Sequence, residues 1–266
     1  MAKGSIHVGI GGWTYEPWRG TFYPAGLKHA DELEYASRHV TAIEINGTYY
    51  RTQSRDSYKK WRDTVPPGFV FTVKASRFCT NRRVLGEAGE SIDKFLGQGV
   101  TLLGDALGPI LWQFMPTKQF DPDDFRAFLK LLPPEQDGVK LRHAIEVRHE
   151  SFKDARFVEL AREHGVAIIF ADSPDYPAIA DLTADFVYAR LMGAQESIDT
   201  GYSPEALDRW ASIVRDWQAG KAPDGLPYVL DAKAAQTPRQ IFLFMINGAK
   251  VRAPAAAQAL IERLGA

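Results

Sequence analysis

Two glutamates stand where the neighbouring residue types call for a buried strand. Glu44 lies in Ala42-Ile43-Glu44-Ile45-Asn46, and Glu146 in Ala144-Ile145-Glu146-Val147-Arg148. A carboxylate among β-branched residues is costly to bury without a partner or a task. Side chains alternate along a strand, so if Ile43, Ile45, Ile145 and Val147 meet an apolar layer, Glu44 and Glu146 point the other way. The same parity sends Asn46, Lys74, Gln113, Arg148, Asp172, Arg190 and Asn247 to one side of their strands. Paired carboxylates serve as general acid and base, and inverting glycosidases hold such a pair roughly 6.5–9.5 Å apart. A desolvated lysine polarises a carbonyl or forms a Schiff base, so Lys74 joins Glu44 and Glu146 as a catalytic candidate. The plainer alternative is internal salt bridging, as Glu44–Lys74 or Glu146–Arg190. The number of converging charges favours a site.

Strands and helices alternate along the chain and could place these residues. The strands are read over 6–10, 41–45, 69–73, 109–114, 143–147, 166–171, 186–191 and 241–246. Helices are read over 31–38, 54–63, 87–102, 122–131, 153–164, 203–218 and 254–264. Ser54, Asp121 and Ser203 are N-caps, Pro122 and Pro204 fit the first helical turn, and Gly165 ends a helix. Gly97 and Gly99 loosen the third helix. The sixth crossover, Asp172–Asp185, is too short and proline-rich for a full helix. Eight strands linked by helices imply a parallel sheet, and eight closes a (β/α)8 TIM barrel of about 250 residues. Gly9, Gly11 and Gly12 do not form a dinucleotide fingerprint, which counts against an open doubly wound sheet. No segment reads as a linker, so one domain is expected over 1–266. Barrel enzymes keep their chemistry at the C-terminal strand ends, where the polar residues gather.

Two connections are long. Gly11–Lys28 follows the first strand and carries Trp13, Tyr15, Trp18, Phe22 and Tyr23, either a platform for a sugar or base or a lid over the barrel. Ala219–Gln240 falls on the opposite face, a place for stability or subunit contact.

The bulk composition narrows the function. Net charge is −1 over 266 residues with 45% hydrophobic content, so no global basic field attracts nucleic acid. The one cysteine, Cys79, excludes an internal disulfide and a Cys-rich zinc site, and fits a reducing compartment. There is no signal-like N-terminus and no run near the roughly 20 apolar residues of a membrane span, so a cytoplasmic protein without membrane contact is expected. Of six histidines only His149 falls near the expected mouth, which argues against a His-rich metal centre. No cofactor is indicated, although Glu44, Glu146 and Asp172 could hold one divalent metal ion. Lys74, Arg148 and Arg190, with Arg77, Arg82 and Arg83 beyond, suit a phosphate or carboxylate ligand.

Gly9-Ile10-Gly11-Gly12-Trp13-Thr14-Tyr15, Trp18-Arg19-Gly20 and Phe22-Tyr23-Pro24 form a distinctive opening. Glu44-Ile45-Asn46 with Thr48-Tyr49-Tyr50, Phe71-Thr72-Val73-Lys74, and Leu107-Gly108-Pro109 with Gln113-Phe114 and Pro116 continue it. Glu146-Val147-Arg148-His149 with Ser151-Phe152, Tyr188-Ala189-Arg190-Leu191 and Asn247-Gly248 complete it. Together these resemble the DUF72 (YecE-like) family, across nearly the whole chain. The resemblance implies a TIM barrel but no settled reaction. This sequence departs from the family pattern at Asn81 and Met192, where members often carry histidine, and at Ile246, where they often carry asparagine.

The leading expectation is an enzyme acting on a small polar anion such as a sugar phosphate. In it Glu44, Glu146 and Lys74 are catalytic, and Trp13, Tyr15, Asn46, Tyr49, Gln113, Arg148, His149, Asp172, Arg190 and Asn247 bind substrate. The alternatives are a nucleic-acid-binding or phosphodiester-cleaving barrel, and a non-catalytic ligand-binding or scaffold protein.

Overall fold

A computed structural model describes residues 4–230 and 237–265. The chain begins with β1 (Ile6–Gly11), β2 (Ala42–Ile45), β3 (Val70–Lys74) and β4 (Leu107–Gln113). A small antiparallel hairpin, β5 (Glu135–Gln136) and β6 (Val139–Lys140), stands apart. β7 (His143–Glu146), β8 (Ala167–Ile168), β9 (Phe170–Asp172), β10 (Phe186–Leu191) and β11 (Gln240–Met245) follow. All but the hairpin form one parallel sheet, in the order β8-β7-β4-β3-β2-β1-β11-β10-β9. Its first and last members, β8 and β9, are one segment interrupted at Ile169. The sheet therefore returns on itself as the expected (β/α)8 barrel.

Helices α1 (Glu32–Ala36), α3 (Arg55–Thr64), α5 (Gly89–Leu96), α6 (Pro122–Leu131), α7 (Ala155–Glu163), α8 (Pro204–Gln218) and α9 (Ala253–Leu264) connect the staves. The single turns α2 (Gly47–Tyr50) and α4 (Arg77–Thr80) sit in the loops after β2 and β3. The side chains of Ser54, Asp121 and Ser203 accept hydrogen bonds from the first-turn N–H groups of α3, α6 and α8. The helix expected over 87–102 is broken, because Gly99 takes φ 106° and a 3-10 segment, Val100–Ala106, begins after it. No helix occurs between β9 and β10 among the described residues. Of the long connection before β11, residues 231–236 lie outside the described set. No described helix is long and apolar enough to cross a membrane.

The strands sort into two packed layers, as parity requires. Val8, Ile10, Ile43, Ile45, Phe71, Val73, Trp112 and Ile145 meet the helices. Ala42, Val70, Leu111, Ala144, Ala167, Ile169, Phe186, Phe242 and Phe244 fill the barrel. The filling is apolar in the lower barrel and polar at the C-terminal end. On β1 the two upper inward positions, Gly9 and Gly11, are glycine for a steric reason. A Cβ at Gly9 would stand 1.9 Å from the Ala42 carbonyl oxygen, and one at Gly11 would stand 2.7 Å from Ile246 Cδ1. Gly11 thus leaves the space that becomes the floor of the mouth.

Candidate functional site

Arg190 is the centre of the polar end. It comes from β10 with the same inward parity as Phe186 and Tyr188, and it is 2% exposed. Its guanidinium donates from Nε to Glu44 Oε2 at 3.1 Å, from Nη2 to Glu44 Oε1 at 3.0 Å, and from Nη1 to Glu146 Oε2. The rigid fork of arginine suits this two-sided grip. Tyr188 Oη donates to Glu44 Oε2 at 2.6 Å and lies 2.9 Å from Thr72 Oγ1, which carries the chain of bonds down into the barrel. On the other side Glu146 Oε1 accepts from Arg148 Nε and Gln113 Nε2, both at 2.7 Å. Gln113 Oε1 in turn accepts from Lys74 Nζ at 2.8 Å. Both glutamates are fully buried, and all four carboxylate oxygens accept hydrogen bonds.

Electrostatics follow from this geometry. Burial alone would raise the Glu146 carboxyl, but Arg190 and Arg148 overcome it and hold the pKa down to about 2. Burial would likewise discharge Arg190, and Glu146 and Glu44 keep it charged. Lys74 has the opposite fate. Burial, reinforced by Arg190, outweighs the attraction of Glu44 and Glu146 and lowers its pKa to about 8. Its Nζ stands 4.3 Å above the Tyr49 ring. Lys74 is therefore a poised amine, while the glutamates are locked counter-charges.

Above this network opens a hollow of about 350 Å³. Lys74, Arg148, Arg190 and Lys250 line it, with amides from Asn46, Gln113 and Asn247, and no aspartate or glutamate does. Lys250 Nζ lies 4.5 Å over the Tyr15 ring and 5.7 Å from that of Trp18, and burial lowers its pKa. Four cations in one small cavity suit an anion bearing phosphate or carboxylate.

The mouth gathers Glu44, Asn46, Tyr49, Lys74, Gln113, Glu146, Arg148, Arg190 and Asn247; parity points to all of these but Tyr49, and for Asn247 the parity argument does not hold although the residue is at the rim. Asn247 arrives differently. Ile246 takes the inward position of β11, and Asn247 reaches the rim in a left-handed turn at φ 59°. Three expected residues are elsewhere. Asp172 does not line the mouth, because Ala171 is the residue paired with inward-facing Arg190. Its carboxylate instead lies beside Gly193, on the side of Tyr202 and Arg209. His149 caps a 3-10 turn, accepting from the Ser151 N–H at 3.1 Å. Trp13 packs on Trp61 and Phe71, below the helices. The Glu44, Glu146 and Asp172 metal site is therefore not assembled. Arg190 stands between the glutamates, and no group of three potential ligands is found among the described residues.

Much of the aromatic loop is packed into the core, and Trp18 also lines the hollow. Trp18 and Tyr23 are buried, and Tyr23 Oη donates to the Trp13 carbonyl at 2.5 Å. Tyr15 reaches the rim only beneath Lys250. All three departures from the family pattern touch the site, Ile246 by lining the hollow itself. Asn81 Nδ2 donates to Tyr49 Oη at 3.1 Å, and Met192 Sδ lies 3.8 Å from Asn247 Nδ2. Tyr188 was within reach of sequence reasoning, since it shares the parity of Arg190. Lys250 follows the last strand in a loop, where parity gives no signal.

The sequence matches the family model described as "Protein of unknown function DUF72" over residues 7–266. No curated protein matches it. Among solved structures, the DUF72 family protein TM1631 of Thermotoga maritima MSB8 is 22% identical, with a TM-score of 0.75 over 98% of this chain and 100% of that one. The DUF72 family protein EF0366 of Enterococcus faecalis V583 is 15% identical, with a TM-score of 0.67 over 99% and 98%. A D-psicose 3-epimerase is 13% identical, with a TM-score of 0.53 over 98% and 100%. At these identities the likeness carries the barrel and not a reaction. With a family model matched from the first strand to the last residue, the chain belongs to the DUF72 family.

Proposed function

We propose that the chain is an enzyme acting on a small anionic substrate, a sugar phosphate or a compound of like size and charge, with Lys74 as its reactive group. The observation that carries this reading is the lining of the hollow: four basic side chains, no carboxylate among the lining residues, and one of the four, Lys74, with its pKa drawn down to about 8. An amine with a pKa of about 8 is partly neutral near physiological pH, and that neutral fraction takes a proton from a carbon acid or adds to a carbonyl. Arg148, Arg190 and Lys250 bind the anionic group and orient the substrate over Lys74. Glu44 and Glu146, first expected to exchange protons, act here through Arg190. Their oxygens are filled, and the low pKa of Glu146 makes it a poor proton donor.

Pyridoxal phosphate tests this directly, being a small aldehyde that carries a phosphate. Treatment with it and then borohydride is expected to label Lys74 ahead of the exposed lysines, and inorganic phosphate is expected to protect it. Labelling spread over lysines in proportion to exposure would refute the reading. Lys74→Met is expected to abolish turnover of any substrate the protein is found to use, while an unaltered rate would remove Lys74 from the chemistry.

A further inference from the structure

Beside the mouth lies a second hollow, about 430 Å³, between the turn of α2 and the helices α4 and α5. Four large hydrophobic side chains are exposed among the described residues, and two of them, Tyr50 and Phe78, line this groove at 65% and 63% exposure. Paired exposed rings in one concavity mark a contact site more often than chance exposure does. Tyr50 also lines the mouth, so the two hollows adjoin at this residue.

The groove is built and charged. Arg82 donates to the Phe78 carbonyl at 3.1 Å, to Ser91 Oγ at 2.9 Å and to the Glu87 carbonyl, which pins the Phe78 turn against α5. Arg51 and Lys94 line the same hollow, and neither side chain has an ion pair or hydrogen bond among the described residues. Against these three cations stands only Glu90. Positive charge thus runs on from the mouth in a chain whose net charge is −1.

Resting on the anion-binding reading of the mouth, we infer that this groove is a subsite for the base of a nucleoside phosphate whose phosphate sits in the mouth. A sugar phosphate occupies the mouth alone. The rings of Tyr50 and Phe78 offer faces for a planar base, and Arg51 and Lys94 offer partners for a further phosphate. A free nucleotide and the end of a single strand share this chemistry.

Calorimetry with ribose phosphate, adenosine monophosphate and a short single-stranded oligonucleotide tests the inference. Adenosine monophosphate is expected to bind at least about tenfold more tightly than ribose phosphate, and Phe78→Ala to erase most of that gain. Phe78→Ala should leave ribose phosphate binding unchanged, since Phe78 does not line the mouth. Tighter, more salt-dependent binding of the oligonucleotide would assign the site to a strand, and equal binding to a free nucleotide. If ribose phosphate binds but adenosine monophosphate gains nothing, or if Phe78→Ala leaves the gain intact, the inference fails alone. If ribose phosphate does not bind at all, the reading of the mouth fails with it.

Discussion

The barrel holds an inward arginine near each end, and the two are kept in opposite ways. At the mouth Arg190 is gripped by two carboxylates and is fully ionised. At the base Arg142 lies 4.9 Å from the Phe242 ring centre and 5.7 Å from that of Phe186, and its Nη1 donates to Gln240 Oε1. Burial lowers its pKa, and the charge of Asp185 opposes that shift without cancelling it. His7 stacks on the other side of this floor, 5.3 Å from Phe242 at 9° between planes. The base is a plug of rings capped by a cation. The mouth is a lattice of opposed charges whose bonds point outward to Gln113, Arg148 and Lys74. Arg142 is held by rings and one neutral amide, whereas Arg190 is held by two carboxylates that also fix the direction of Tyr188, Gln113 and Arg148.

Removing each charge separates the two ends most strongly. Arg190→Met leaves two buried carboxylates facing each other and is expected to cost on the order of 3–5 kcal/mol in denaturant unfolding. Arg142→Met keeps an apolar stem over the rings and should cost about 1 kcal/mol. Equal losses would mean that the two ends are held alike.

Acid should separate the ends next. Glu146 has a folded pKa depressed to about 2, below the ordinary carboxylate value of 4.5. Its contribution to stability is therefore full above pH 4.5 and is lost as the pH falls toward 2. Denaturant unfolding across that window is expected to show stability falling with pH in the wild type and falling less steeply in Glu146→Gln. An unchanged slope in the variant would show that Glu146 is not held as described.

A smaller effect sharpens the mouth itself. Glu146 attracts the Lys74 ammonium, so Glu146→Gln is expected to move the Lys74 pKa further down from about 8. A rise, read by pH-dependent labelling, would contradict the charge balance drawn here. The smallest effect belongs to the foot of the lattice. Thr72→Val removes one partner of Tyr188, which still donates to Glu44, and should cost about 1 kcal/mol or less.

Much of the mouth was legible as parity, and the departures have physical causes. Glu44, Lys74, Gln113, Glu146 and Arg190 each sit two residues beyond an inward apolar or hydroxyl side chain on a regular strand, so alternation alone aims them inward. Alternation was misapplied on the sixth stave. Ala167 and Ile169 face inward, which leaves Ala171 inside and Asp172 outside. On β11 the inward residue is Ile246, and Asn247 depends on a left-handed turn that strand periodicity does not encode. Lys250 and the exposed pair Tyr50 and Phe78 come from loops, where direction is set by packing. The lattice was not legible in its pairing either. Glu44 binds Arg190 and not Lys74, because the arginine fork reaches both glutamates while Lys74 is drawn to Gln113. That difference leaves Lys74 free to change charge.

The mouth holds a lysine poised to lose its proton, and NMR titration of the Lys74 side chain reads that proton. A midpoint near 8, lowered by burial and by Arg190, is the expected result. A midpoint at the ordinary lysine value of 10.5 would show that the amine is not poised at all.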